Sequence, residues 1–75
     1  MRELVEYLAK ELVDSPDEVV VTQSSSDTHP VIHLVVAESD MGKVIGRQGR
    51  VAQSMRSLLK VAAARRDVRA SLEIG

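Results

Sequence analysis

A chain of 75 residues with no cysteine has room for one small domain and neither a disulfide framework nor a thiolate metal site to brace it. A domain of this size buries only about 60% of its unfolded surface, which leaves self-association as the remaining staple. The opening Met1-Arg2-Glu3-Leu4 lacks the basic-then-apolar build of a secretory leader and no apolar run has bilayer length, which argues against a membrane partner and makes the cytoplasm the expected location. The formal net charge of -1 conceals a division, because residues 1–40 carry two bases and nine acids while residues 41–75 carry eight bases and two acids. Such a division lets an anionic ligand lie on one side of a nearly neutral protein, and equally lets the two parts attract each other or a second copy.

Leu4, Val5, Leu8 and Leu12 fall on one helical stripe with acids around it, predicting a helix over residues 3 to about 13. Pro16 disfavours helical geometry at Ser15, and Asp14-Ser15-Pro16-Asp17 has turn chemistry, so the helix must end there. The β-branched run Val19-Val20-Val21-Thr22 predicts a strand and residues 31–37 a second, joined as a hairpin through the polar residues 24–30. Asp40 can accept hydrogen bonds from the free N–H groups that open a helix, so a short helix is predicted from Met41 to about Ile45 with Asp40 as its cap. After Gly49, the residues Val51, Met55, Leu58, Leu59 and Ala62 form the apolar stripe of a helix reaching about Arg65, with Gln53, Arg56 and Lys60 facing away. Finally Val68, Ala70, Leu72 and Ile74 alternate with Arg69, Ser71 and Glu73, the pattern of a half-buried strand. The order helix, strand, strand, helix, helix, strand predicts an α+β fold in which helices pack on one face of a three-stranded sheet, with residues 1–75 forming a single domain.

Between the last two helices the chain reads Gly42-Lys43-Val44-Ile45-Gly46-Arg47-Gln48-Gly49-Arg50-Val51. A glycine weakens a helix interior by about 1 kcal/mol relative to alanine, so three in eight residues point to backbone turns or to the close approach of a ligand. An anion fits the surroundings. The N–H groups that begin the following helix lack internal partners, its dipole favours negative charge, and Lys43, Arg47 and Arg50 add cations at the same place. An ordinary helix-turn-helix joint with solvated arginines fits the glycine spacing equally well.

The run Val44-Ile45-Gly46-Arg47-Gln48-Gly49 resembles the signature of the KH family, an apolar-Gly-x-x-Gly loop between two helices. The resemblance extends over nearly the whole chain: the α-β-β-α-α-β order is that of a type II-like KH domain, and the Met41-Gly42-Lys43 lead-in is similar to that of small stand-alone bacterial members. What the resemblance implies is a loop that clamps the backbone of about four nucleotides of single-stranded RNA, with the bases in an adjacent apolar groove. On that reading Gly46 and Gly49 admit the phosphates, Arg47 and Gln48 present the variable side chains, and Lys43 and Arg50 flank the path. Val44, Ile45 and Val51 are assigned to the core rather than the groove. Ala52 stands where the general KH pattern has a large aliphatic residue, implying a shallow groove there and broad specificity. The family also implies a role as an RNA chaperone or post-transcriptional regulator, acting as a homodimer or beside a larger Jag-type KH-containing protein.

Tyr7 is the only aromatic residue, so the stacking platforms of RRM and many OB-type proteins are absent and affinity must come from phosphates and groove contacts. Catalysis has little material. His33 shares strand parity with Val31 and Val35, His29 sits in a loop, no serine lies in a nucleophile turn, and two histidines around Pro30 do not make a metal site. Lys43 precedes both loop glycines and no Gly-Lys-Ser/Thr run occurs, so the loop is not a nucleotide-cofactor cradle. No enzyme, cofactor or small-molecule substrate is therefore expected. The competing reading is a protein-interaction module, in which the acidic first part docks a basic surface and the exposed side of the first helix supplies the contact.

Overall fold

The computed structural model describes all 75 residues. Its first helix, α1, covers Arg2–Leu12 and buries Val5 and Ala9, one turn apart, against the sheet and the later helices. Val13 leaves the helix in extended geometry (φ -97, ψ 160), and Pro16 opens a single 3-10 turn over Pro16–Glu18, where its missing N–H costs nothing. Two strands follow, β1 at Val20–Gln23 and β2 at Val31–Val35. They pair antiparallel, Val20 opposite Val35 and Thr22 opposite His33. A second 3-10 turn, Glu38–Asp40, leads into the short helix α2, Met41–Ile45. The turn Arg47–Gly49 then feeds α3, Arg50–Ala64. The last strand, β3 at Ser71–Ile74, lies parallel to β2, so β2 is central and the sheet order is β1-β2-β3.

The expected α+β fold, its element order and its one-sided layering are all present. Alternation on the strands divides the sheet: Val21, Ile32, Leu34 and Leu72 are buried under the helices, while Val20, Thr22, Val35 and Glu73 are exposed on the other side. Ile32, Leu34, Val5, Val44 and Leu59 are fully buried, each contributing about 1.5–3 kcal/mol by leaving water. Strand ends differ from expectation. The second strand stops at Val35 rather than residue 37, and the last begins at Ser71 rather than residue 68. Residues 65–70 instead turn the chain back and tie it to the β1–β2 connection, with the Arg69 N–H donating to the Thr28 carbonyl at 3.1 Å and Ser71 N–H to Pro30 at 3.1 Å.

Three side chains read from sequence as core-facing lie outside the core. Ile45 is 38% exposed, Leu12 39% and Leu58 49%. Leu58 is adjacent in sequence to fully buried Leu59, and a stripe wide enough to include Met55, Leu58, Leu59 and Ala62 exceeds the width that α1 and the sheet can cover.

Candidate nucleic-acid interface

An isolated helix of five residues has no stability of its own, so α2 must be held by its neighbours. Val44 fixes one side by complete burial. At its start Asp40, 1% exposed, does not cap the helix as the sequence predicts; no side-chain capping bond is present there. Its carboxylate turns back instead and accepts the Asp14 N–H at 3.2 Å, the Ser15 N–H at 3.1 Å and the Lys43 ammonium at 3.3 Å. The corner after α1 is thereby clasped to the start of α2. Burial pushes the Asp40 carboxyl upward, but the two backbone donors and Lys43 together outweigh it and hold the group below its usual value of 3.8.

Lys43 completes this clasp. Its Nζ lies 2.7 Å from Asp14 Oδ2 as well as 3.3 Å from Asp40 Oδ1. Hydrogen bonds to Asp14 and then Asp40 raise its pKa above 10.5. Of the residues named from sequence, Lys43 is thus at the site but already has two carboxylate partners.

At the other end of α2 the backbone takes three positive φ values within four residues: Gly46 (φ 76, ψ 173), Gln48 (φ 56, ψ 26) and Gly49 (φ 75, ψ 14). The glycines meet different demands. A Cβ on Gly46 would come within 2.9 Å of the Val51 backbone nitrogen and 2.8 Å of Val51 Cβ, whereas one on Gly49 would meet nothing within 4 Å. Gly46 therefore permits close packing of α3 on the loop, and Gly49 supplies only the left-handed geometry before the helix. Gln48 holds a left-handed conformation without being glycine, which projects it outward at the tip.

Gly49 N–H donates to the Gly46 carbonyl at 3.1 Å, and Arg50 N–H to that of Arg47. Two of the N–H groups counted from sequence as open to an anion are thus already engaged in the turn. The cations are not. Arg47 and Arg50 are exposed and make no ion pair; Arg50 only touches Gln48 Oε1 at 3.4 Å. Among all ten Lys and Arg residues, only Lys10 and Lys43 are bridged to carboxylates. Lys43, Gly46, Arg47, Gln48, Gly49 and Arg50 are thus brought together, with a neutralised lysine behind and two free arginines in front.

Sequence reasoning missed the continuation. A groove of about 690 Å³ runs between α3 and β3, with Leu59, Ala63 and Leu72 on its floor and Arg56, Lys60 and Arg69 among its walls. Gln53, Arg56 and Lys60 recur at one-turn spacing beyond Gly49, so the helix face that leads away from the loop carries cations into the groove. That i, i+4, i+7, i+11 spacing from Gly49 was the available signal. Ala52, at 4% exposure, lies beneath this surface and does not line the groove.

A mixed three-stranded sheet under three helices, with a Gly-x-x-Gly turn joining the last two, defines a KH domain of type II topology. The KhpA/KhpB KH-domain family model matches residues 2–74. "RNA-binding protein KhpA" of Caldanaerobacter subterraneus subsp. tengcongensis is 50% identical over 74 residues, and its namesake in Clostridium acetobutylicum 46% over 74 residues, in both cases covering 99% of either chain. The protein of the same name in Treponema pallidum is 46% identical over 72 residues, 96% of this chain and 90% of its own. No solved structure matches. The chain belongs to the KhpA/KhpB KH-domain family.

Proposed function

We propose that the chain binds single-stranded RNA, clamping the sugar–phosphate backbone at the 46–49 loop and laying the bases in the groove between α3 and β3. The observation that carries this reading is the pairing of an enforced, exposed loop backbone with arginines that have no carboxylate partner. Relatives named RNA-binding protein at 42–50% identity support it. Arg47 and Arg50 meet phosphate first, Gly46, Gln48 and Gly49 set the path, and Lys43 supports α2 while its charge is shared with Asp14 and Asp40. With one aromatic residue in the chain, binding by a single copy is weak, broadly specific and salt-sensitive. An RNA chaperone or post-transcriptional regulator of the cytoplasm is the role that fits such binding.

The test is Arg47→Asp with Gln48→Asp. Both glycines remain, so the turn survives, while one cation is lost and two anions stand where phosphates are placed. Affinity for short unstructured RNA should fall at least about tenfold, roughly 1.4 kcal/mol, at moderate salt. A folded double variant that binds RNA like the parent would remove the loop from the interface.

A homodimer is part of the proposal. Only 16 of 75 residues are buried, and Leu58 and Val61, three apart on α3, are 49% and 57% exposed, so a second copy or a larger Jag-type KH protein has an apolar stripe to cover. Sedimentation across micromolar concentration should show a monomer–dimer equilibrium that Val61→Glu shifts to monomer. An 8.2 kDa species at every concentration would refute it.

A further inference from the structure

Beyond the groove lies a second concavity. Its volume is about 440 Å³, and Thr28, His29, Ala64, Asp67, Val68 and Arg69 line it. Ala64, Val68 and Arg69 also line the groove between α3 and β3, so the two are continuous. The cleft is open to solvent, but its two walls are fixed relative to each other. Its walls are the β1–β2 connection and the turn after α3, locked side by side by the hydrogen bonds from Arg69 to Thr28 and from Ser71 to Pro30.

The turn that forms one wall carries a negative charge where a helix end disfavours one. Helix α3 closes with Arg66 N–H on Ala63 O, Asp67 N–H on Ala64 O and Val68 N–H on Ala63 O, and Asp67 takes φ 58. This left-handed position after a helix is the one glycine usually occupies. An aspartate there opposes the helix dipole, since the C-terminal end disfavours negative charge. It is also the only acid among three exposed arginines, Arg65, Arg66 and Arg69, yet no salt bridge joins it to any of them. Aspartate is among the few non-glycine residues that tolerate this geometry, but neither the helix dipole nor an ion pair favours a charged group there.

A carboxylate in a cleft otherwise suited to nucleic acid repels phosphate but accepts hydrogen bonds well. The group on an RNA strand that donates, and that DNA lacks, is the ribose 2′-hydroxyl. We infer that the cleft is a ribose subsite for a nucleotide lying past the groove, where Asp67 accepts the 2′-hydroxyl while Arg69, at the boundary of groove and cleft, takes the adjoining phosphate. The Thr28 hydroxyl and the His29 ring, whose Nδ1 lies 3.3 Å from Thr28 Oγ1, offer further polar contacts from the opposite wall. This rests on the RNA-binding reading and adds two things to it: a footprint longer than the loop clamp alone, and a preference for RNA over DNA that arises at the far end of the groove.

The test compares octauridylate with its deoxyuridine counterpart, and the tetranucleotides of each kind, on the parent and on Asp67→Gly. Glycine suits the left-handed position, so this variant should melt at or above the parent temperature. The parent should prefer the RNA octamer over the DNA octamer by about tenfold, the worth of one hydrogen bond to a charged acceptor. In Asp67→Gly that preference should shrink to within about twofold, chiefly through tighter DNA binding as the repelling charge goes. Tetranucleotides held at the loop should show little discrimination in either protein. An unchanged RNA-to-DNA ratio in Asp67→Gly, or no preference in the parent octamers, overturns the inference. The Arg47→Asp, Gln48→Asp variant separates the two claims. If it loses RNA while Asp67→Gly keeps the parent ratio, the loop clamp stands and the ribose subsite falls; if it keeps RNA, the clamp falls.

Discussion

The two ends of α2 are built by opposite means. At its start two backbone N–H groups and a lysine saturate one buried carboxylate. At its end three left-handed residues hold an open turn, and the arginines around it have no carboxylate partners. A five-residue helix transmits the rigidity of the first to the second. Polar groups that serve the fold are satisfied internally, whereas those proposed to meet RNA are left with capacity to spare. Lys43 and Arg47, four residues apart, fall on either side of that line.

Breaking the clasp should have the largest effect. Asp40→Ala leaves the part-buried Asp14 and Ser15 N–H groups without their acceptor and Lys43 with Asp14 alone, and a donor left unsatisfied away from water costs more than the bond that is lost. The melting temperature should fall by roughly 10 °C or more, as such losses do in a domain of this size. The linkage gives this contact a direction in pH. Because the folded-state pKa of Asp40 is depressed, the clasp stabilises the fold fully above the unfolded value near 3.8 and less as pH falls from there through the folded value. Melting curves from pH 5 to pH 2 should therefore converge for the parent and Asp40→Asn; parallel curves would mean that the carboxylate charge contributes nothing.

The glycines sharpen the comparison at the other end. Gly46→Ala combines positive φ with a clash against the Val51 backbone, and should cost about 2 kcal/mol or more. Gly49→Ala meets open space at the same φ, and should cost only about 1 kcal/mol. Thermal denaturation of the pair ranks them. Equal losses would show that the packing of α3 on Gly46 is not a constraint.

Much of this was legible in the sequence. The stripe of α1, the alternation of β3 and the glycine pattern are periodic or local signals, and they placed every helix and strand of the fold. What the sequence did not reveal depends on contacts distant along the chain. Asp40 precedes a helix as a cap would, but its partners Asp14 and Ser15 lie 26 and 25 residues away, and no local rule anticipates them. Lys43 read as a free cation for the same reason. Arg56 and Lys60 were visible as a polar helix face, yet that face becomes a groove wall only when β3 comes to lie beside α3. Leu12 and Leu58 were read as core-facing because periodicity counts apolar residues, not how much surface the neighbouring elements can cover.

Gly42 gives the smallest expected effect and the most direct reading of what the lead-in glycine is for. It lies inside α2 with ordinary helical geometry, and a Cβ there would meet no atom within 4 Å, so neither φ nor internal packing accounts for it. Alanine keeps the bond from Gly46 N–H to the residue 42 carbonyl, 2.9 Å in the parent, and removes a helix-interior glycine. Stability should rise by up to about 1 kcal/mol. If the proposed RNA strand approaches α2 as it enters the loop, the added methyl stands in its way, and affinity should drop by about threefold, less than the loop double variant loses. A protein that becomes more stable while binding RNA less well would mark Gly42 as a point of close approach, where a helix has given up stability for access. Higher stability with unchanged affinity would place the strand away from α2, and confine the interface to the loop and the face of α3.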